Sequence, residues 1–272
     1  MKTRILVGVI FVPLIVILVL FAPIGLFGGF WGVVAAIAAI ELLHCISSNL
    51  PKRMAAYAAL GAFLLPLLTS LGHGAVAERF VLWALVFIMF SELMLSFFRA
   101  EKIPMEYIVM VLFAGFIQPM LFTSMVRIEM MEHGHLFLLM VFLIAFASDS
   151  FAYFAGMFCG RHRLAPELSP KKTIEGSAGG FLGTIAISLL YGLYMKFTGM
   201  TVDFLVLAVY GFLGSLVGQL GDLSFSAVKR LYDVKDYGNL IPGHGGILDR
   251  FDSILFIAPV IELLLLWVPA AM

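Results

Sequence analysis

The sequence predicts an all-α, polytopic integral membrane protein. Three observations predict it. The chain is 62% hydrophobic and 12% charged, more apolar surface than a soluble domain can hide. Its apolar residues fall in nine runs, each close to the roughly 20 residues that cross a bilayer. Its 17 lysines and arginines are distributed very unevenly between alternate loops.

The nine runs are 4–22, 28–46, 54–71, 79–98, 105–125, 136–158, 177–196, 202–221 and 251–270. In lipid, a run this long must satisfy its backbone internally, so each is predicted to be a helix. The first, Ile5 to Phe21, imitates a secretory signal. However, it continues as APIGLFGGFWG into the second run without a small-x-small cleavage site, so it reads as a retained span.

Placing the N-terminus inside puts 14 basic residues in inside segments. These are Lys2, Arg4, Lys52, Arg53, Arg99, Lys102, Arg161, Arg163, Lys171, Lys172, Lys229, Arg230, Lys235 and Arg250. Arg79, Arg127 and Lys196 are the three left outside. This bias predicts N-terminus in and C-terminus out, in a cytoplasmic (inner) membrane. The net charge is zero, so no global field points to nucleic acid. Cys45 and Cys159 fall at inside helix ends, where reduced thiols are expected.

The two halves differ in chemistry. Residues 1–130 read as a transmembrane scaffold of about five helices with short, plain loops. Residues 131–272 read as the catalytic region, with about four helices and inside loops at 159–176 and 222–250. Those two loops carry eight of the 17 basic residues.

SPKKTIEGSAGG, Ser169 to Gly180, sets Lys171 and Lys172 side by side ahead of three glycines. A helix starting near Ser177 would aim free N–H groups at whatever the lysines hold, which suits phosphate. Basic anchoring and close helix packing explain the same residues. Asp149 lies inside the sixth run. An intramembrane carboxylate is a functional candidate by default, and neighbouring Ser148 or Ser150 would also satisfy it.

Gln219 and Asp222 close the eighth run in GQLGDLSFSAVKR. If that helix continues, Asp222, Ser226 and Lys229 share one face, as a metal–phosphate site or as a solvated helix end. GHGGILDRFDS, Gly243 to Ser253, gathers glycines, His244, Asp249, Arg250 and Asp252 against the last apolar run. Aspartates beside cations at a membrane surface suit Mg²⁺ on a polyphosphate. Zinc would need a set of His and Cys ligands that His244 lacks in its neighbourhood.

SAVKRLYDVKDYGNLIPGHGGILDRFD, Ser226 to Asp252, resembles the signature of the phosphatidate cytidylyltransferases, or CDP-diacylglycerol synthases. Ser226, Lys229, Arg230, Lys235, Asp236, Pro242, His244, Gly245, Gly246, Asp249, Arg250 and Asp252 meet it. SPKKTIEG, DSFAYFAG and GQLGD are similar to the family too, so the resemblance covers roughly 149–260. One position departs: the family commonly has Glu where this chain has Phe225.

The resemblance implies CMP transfer from CTP to phosphatidate, giving CDP-diacylglycerol and pyrophosphate with Mg²⁺. It places Asp222 and Asp249 on the metal, with Asp149, Asp252 and Gln219 in support and a second cation allowed. It gives Lys171 and Lys172, flanked by Ser169 and Thr173, to the CTP phosphates. Lys229, Arg230, Lys235 and Arg250 then divide between lipid phosphate and pyrophosphate, and Ser226, Asp236, Gly245 and Gly246 are further substrate-binding candidates. His244 reads as a positioning donor rather than a base, because a phosphate monoester is largely ionised near neutral pH. The expected partners are CTP, phosphatidate and bilayer lipid, and a homodimer is allowed. Two alternatives stay open: a polyprenyl-phosphate sugar-phosphate transferase, and an ion transporter using Asp149 as its relay.

Overall fold

The computed structural model describes residues 2–47, 49–99, 102–240 and 245–271, with side chains from Val12 onward. Pro242 and His244 therefore lie outside the described residues. Among the described residues the regular structure is helical apart from one short hairpin and an isolated bridge between Val202 and Ala271. Six described helical stretches are long and apolar enough to cross a membrane, so the protein is an integral membrane protein. Two compact units are present.

The first unit comprises Met1–Met130 and Val234–Arg250. It contains α1 (Lys2–Phe21), α2 (Ile24–Ile46), α3 (Lys52–Leu68), α4 (Gly74–Ser96), α5 (Met105–Leu112) and α6 (Gln118–Glu129). Pro23, Pro51 and Pro104 stand at the N-caps of α2, α3 and α5, where the missing N–H costs nothing.

A π-turn, Thr69–His73, joins α3 to α4, and Gly72 inside it has φ 84°. That left-handed backbone is open to glycine at little cost and breaks an apolar stretch of 45 residues into two helices. A second π-turn, Phe113–Ile117, joins α5 to α6. Small residues let these segments touch. A Cβ on Gly32 would stand 2.6 Å from the Phe63 carbonyl, and one on Gly115 2.8 Å from the Ala58 Cα.

The second unit comprises Met131–Asp233 and Phe251–Met272. It holds α7 (Gly134–Cys159), a hairpin of β1 (Arg163–Ala165) with β2 (Ser169–Thr173), α8 (Ile174–Phe197) and α9 (Phe204–Leu231). A single turn, α10 (Leu248–Phe251), leads from the first unit into α11 (Ile254–Trp267).

Here α7 and α8 pack through glycine. A Cβ on Gly179 would meet the Ala155 Cβ at 2.2 Å, and one on Gly183 the Phe151 ring at 2.1 Å. The glycines after the double lysine thus serve close helix packing. On α9, Gly218 and Gly221 admit α11 and the residues just before it, since a Cβ on Gly218 would stand 2.8 Å from the Ile257 side chain and one on Gly221 2.8 Å from the Asp252 carbonyl, while Gly214 makes room for Ile144 of α7.

Three boundaries differ from expectation. The segment 159–176, expected as a loop, contains the antiparallel hairpin, with Arg163 opposite Thr173 and Ala165 opposite Ser169. The following helix starts at Ile174, ahead of Ser177, because Thr173 caps it: the Thr173 hydroxyl accepts the Gly176 N–H at 3.0 Å. Helix α9 runs on to Leu231, so residues 222–231 are helix rather than loop.

Candidate active site

A cavity of about 500 Å³ opens in the second unit between α7, the hairpin, α8 and α9. Asp149, Arg163, Lys171, Lys172, Gln219 and Asp222 supply its polar wall. Ala152, Tyr153, Met157 and Leu164 supply an apolar one. A mixed lining of this kind suits a ligand with both charged and greasy parts. A groove of similar size on α4, along Phe80, Trp83 and Phe87, has Arg79 as the one charged residue in its lining.

The cavity is organised by a contact between the hairpin and α9. The Lys172 ammonium donates to Asp222 Oδ2. The other oxygen of Asp222 accepts the Ser226 hydroxyl at 3.3 Å, one helical turn further on. Lys229 follows, only 8% exposed, so the expected face of Asp222, Ser226 and Lys229 exists because α9 continues.

Asp252 lies within electrostatic reach of Asp222, Lys229 and Asp149. Its Oδ1 also accepts the Ser253 N–H at 2.7 Å. Three carboxylates and two lysines thus influence one another in this unit. Among the described residues, no three His, Cys, Asp or Glu side chains are close enough to hold a metal together. The donor set is nonetheless all carboxylate oxygen, the chemistry Mg²⁺ takes, and lysine ammonium balances it here.

The remaining expected residues divide clearly. Gln219 ties α8 to α9: its Oε1 accepts the Ser177 hydroxyl at 2.5 Å and its Nε2 donates to Ser215 Oγ at 3.2 Å. Its amide is satisfied by protein. Ser215 in turn hydrogen-bonds Ser148 of α7 at 2.8 Å. Ser169 begins β2, half-buried, while Arg230 is exposed on the last turn of α9. Phe225, where the family commonly has Glu, is buried and packs edge-on against Phe256 with ring centroids 6.2 Å apart.

In the first unit, Lys235, Asp236 and Arg250 are exposed and Asp249 is buried. Asp249 Oδ2 accepts the Tyr237 N–H at 2.8 Å and the Gly246 N–H at 3.0 Å. This carboxylate therefore organises the backbone around it, and any metal bond would share it with those amides. Gly245 has φ 84°, and a Cβ there would stand 2.8 Å from Asp249 Oδ2. The paired glycines make room for a carboxylate. His244 belongs to the same motif but lies outside the described residues.

Two residues escaped the sequence reading. Arg163 lines the cavity. Glu41, on α2, is buried and accepts backbone N–H groups from Ile247 and Leu248. The signal for Glu41 was present: a carboxylate inside an apolar run, the property that singled out Asp149.

A sequence model of the cytidylyltransferase family matches residues 2–268. A phosphatidate cytidylyltransferase of Staphylococcus aureus (strain COL) is 35% identical over 259 residues, covering 93% of this chain and 96% of that protein. The enzyme of the same name from Bacillus subtilis (strain 168) is 42% identical over 134 residues, 49% of each chain. Its counterpart in Staphylococcus epidermidis (strain ATCC 12228) is 42% identical over 138 residues, 51% of this chain and 52% of that one. With the last two, the chain aligns over about half of the relative's length.

Proposed function

The chain belongs to the cytidylyltransferase family. On that premise we propose that it is a phosphatidate cytidylyltransferase, a nucleotidyltransferase of phospholipid biosynthesis. A phosphate oxygen of phosphatidate attacks the α-phosphorus of CTP. The bond to the β-phosphate bridging oxygen breaks, and pyrophosphate leaves as CDP-diacylglycerol forms. The observation that carries the reading is similarity to an enzyme of that name along nearly the whole of both chains. Neither a sugar-phosphate transferase nor an ion transporter accounts for that similarity.

The cavity fits the chemistry. Its lysines suit a polyphosphate and its apolar wall suits a lipid. No covalent intermediate on the protein is required, because positioning and charge stabilisation are enough for this transfer. Lys171 and Lys172 grip the CTP phosphates, beside Ser169 and Thr173. Lys229, Arg230, Lys235 and Arg250 divide between lipid phosphate and pyrophosphate, assisted by Ser226, Asp236, Gly245 and Gly246. His244 is a phosphate-positioning donor.

Members of this family generally use divalent cations, and we assign Mg²⁺ to Asp222 and Asp249, with Asp149 and Asp252 in support. Bound there, Mg²⁺ would neutralise charge on the phosphates. If a cation takes the place of Lys172 on Asp222 Oδ2, a polyphosphate gives the freed ammonium a new partner. Residues 1–130 act as scaffold and 131–272 carry the catalytic region. Nine spans, N-terminus in and C-terminus out, would put both polar loops on the cytoplasmic side of the inner membrane, where CTP is found.

Ligand-induced thermal stabilisation of the purified protein separates the readings. CTP should raise the melting temperature and a UDP-sugar should not. The reverse would support the sugar-phosphate transferase.

A further inference from the structure

Glu41 is buried near the C-terminal end of α2, in a part of the chain that reads as plain scaffold, and is 8% exposed. A carboxylate there is costly, and a leucine would pack more cheaply. Its oxygens are fully directed. Oε1 accepts the Ile247 N–H at 3.0 Å and Oε2 accepts the Leu248 N–H at 2.9 Å, across 206 and 207 positions of sequence. These amides open the single turn α10, whose first N–H groups have no partner within the turn. A charged acceptor from another helix supplies what so short a turn cannot.

The segment is shaped around this carboxylate. A Cβ on Gly246 would stand 2.4 Å from Glu41 Oε2, and one on Gly238 2.6 Å from Oε1. On the other side, Asp249 Oδ2 takes the Tyr237 and Gly246 amides. Four backbone N–H groups of Val234–Arg250 thus converge on two carboxylates. One belongs to the segment and the other comes from α2.

We propose that Glu41 is a positioning residue: by gripping the Ile247 and Leu248 amides it fixes the backbone that carries Asp249 and Arg250, and so aims those side chains for the reaction. This rests on the reading of Asp249 and Arg250 as site residues. Glu41 itself touches no substrate.

The test uses the purified full chain in mixed detergent–lipid micelles, with two variants. Glu41→Gln keeps the size but sets an NH₂ group against a backbone N–H. Gly246→Ala leaves Glu41 intact and crowds it. Amide hydrogen exchange is measured alongside kcat and KM for CTP and phosphatidate. In both variants, exchange across 245–250 should quicken by about tenfold or more while α7 and α8 keep their protection. The kcat should fall about tenfold or more, with KM for CTP changed less than about threefold.

Unchanged exchange in a folded Glu41→Gln protein, or in Gly246→Ala if the first does not fold, would overturn the inference. So would quickened exchange with normal kcat, which marks a purely structural contact. If the unaltered protein forms no CDP-lipid, the functional reading fails by itself, and the aiming of Asp249 and Arg250 fails with it. The exchange arm then still decides whether Glu41 holds the segment.

Discussion

Lys172 of the hairpin and Asp222 of α9 form an ion pair across 50 positions of sequence, each side chain about one-quarter exposed at the cavity wall. The pair joins the two conspicuous polar motifs of the second unit. In the proposed reaction each residue would exchange that partner, Lys172 for a phosphate and Asp222 for a cation. A lysine moving from carboxylate to phosphate keeps a charge-assisted bond in both states.

That relationship gives the first prediction. Lys172→Ala should raise the apparent KM for CTP by about tenfold or more, and that for phosphatidate by less than about threefold. Arg250→Ala should chiefly weaken phosphatidate use and lower kcat as well, since it neighbours Asp249. A two-substrate kinetic matrix separates uniform binding from transition-state contacts. The opposite pattern in both variants would reverse the assignment of loops to substrates.

Asp249→Asn keeps size and removes charge. Activity should fall by about two orders of magnitude or more, comparable to the loss of a strong electrostatic stabiliser. An asparagine still has one oxygen for the Tyr237 and Gly246 amides, so the protein should fold. Near-normal turnover in the folded variant would remove Asp249 from the proposed metal site.

Packing makes a sharp contrast between two glycines. Gly183→Ala would drive a methyl into the Phe151 ring, at 2.1 Å, and should destabilise the protein by about 1–3 kcal/mol. Gly29→Ala meets nothing within 4 Å and should stabilise α2 by about 0.5–1 kcal/mol. Thermal unfolding in detergent measures both. Equal effects would mean that α7 and α8 do not pack as described.

Much of this was legible in the sequence because lipid imposes strict rules. Apolar runs became helices, and the spacing of Asp222, Ser226 and Lys229 already placed them on one face. The motif SPKKT marked one cavity wall. What was not legible depends on contacts far apart in the chain. Nothing local tells that Gly246 makes room for Glu41, or that Gly179 faces Ala155 rather than a ligand. Gln219 lines the cavity and also ties α8 to α9, a second contact that its place in the sequence does not reveal. The break between α3 and α4 falls where the third and fourth apolar runs were already divided, but the π-turn there and its left-handed Gly72 follow from one backbone angle that the run boundaries do not give.

Topology is tested by cysteine labelling of intact cells, after replacing Cys45 and Cys159. An impermeant reagent added outside should react with a cysteine beside Met272 and not with one at Lys172. The opposite result would invert the orientation derived from the basic loops.

The central claim is CMP transfer from CTP to phosphatidate, and its most direct measurement is turnover of labelled CTP with phosphatidate by the purified protein, with and without Mg²⁺. The account predicts lipid-linked label and pyrophosphate in equal amounts, dependent on phosphatidate, abolished by chelation and restored by Mg²⁺. A folded protein that forms no lipid-linked CMP with any divalent cation would contradict it.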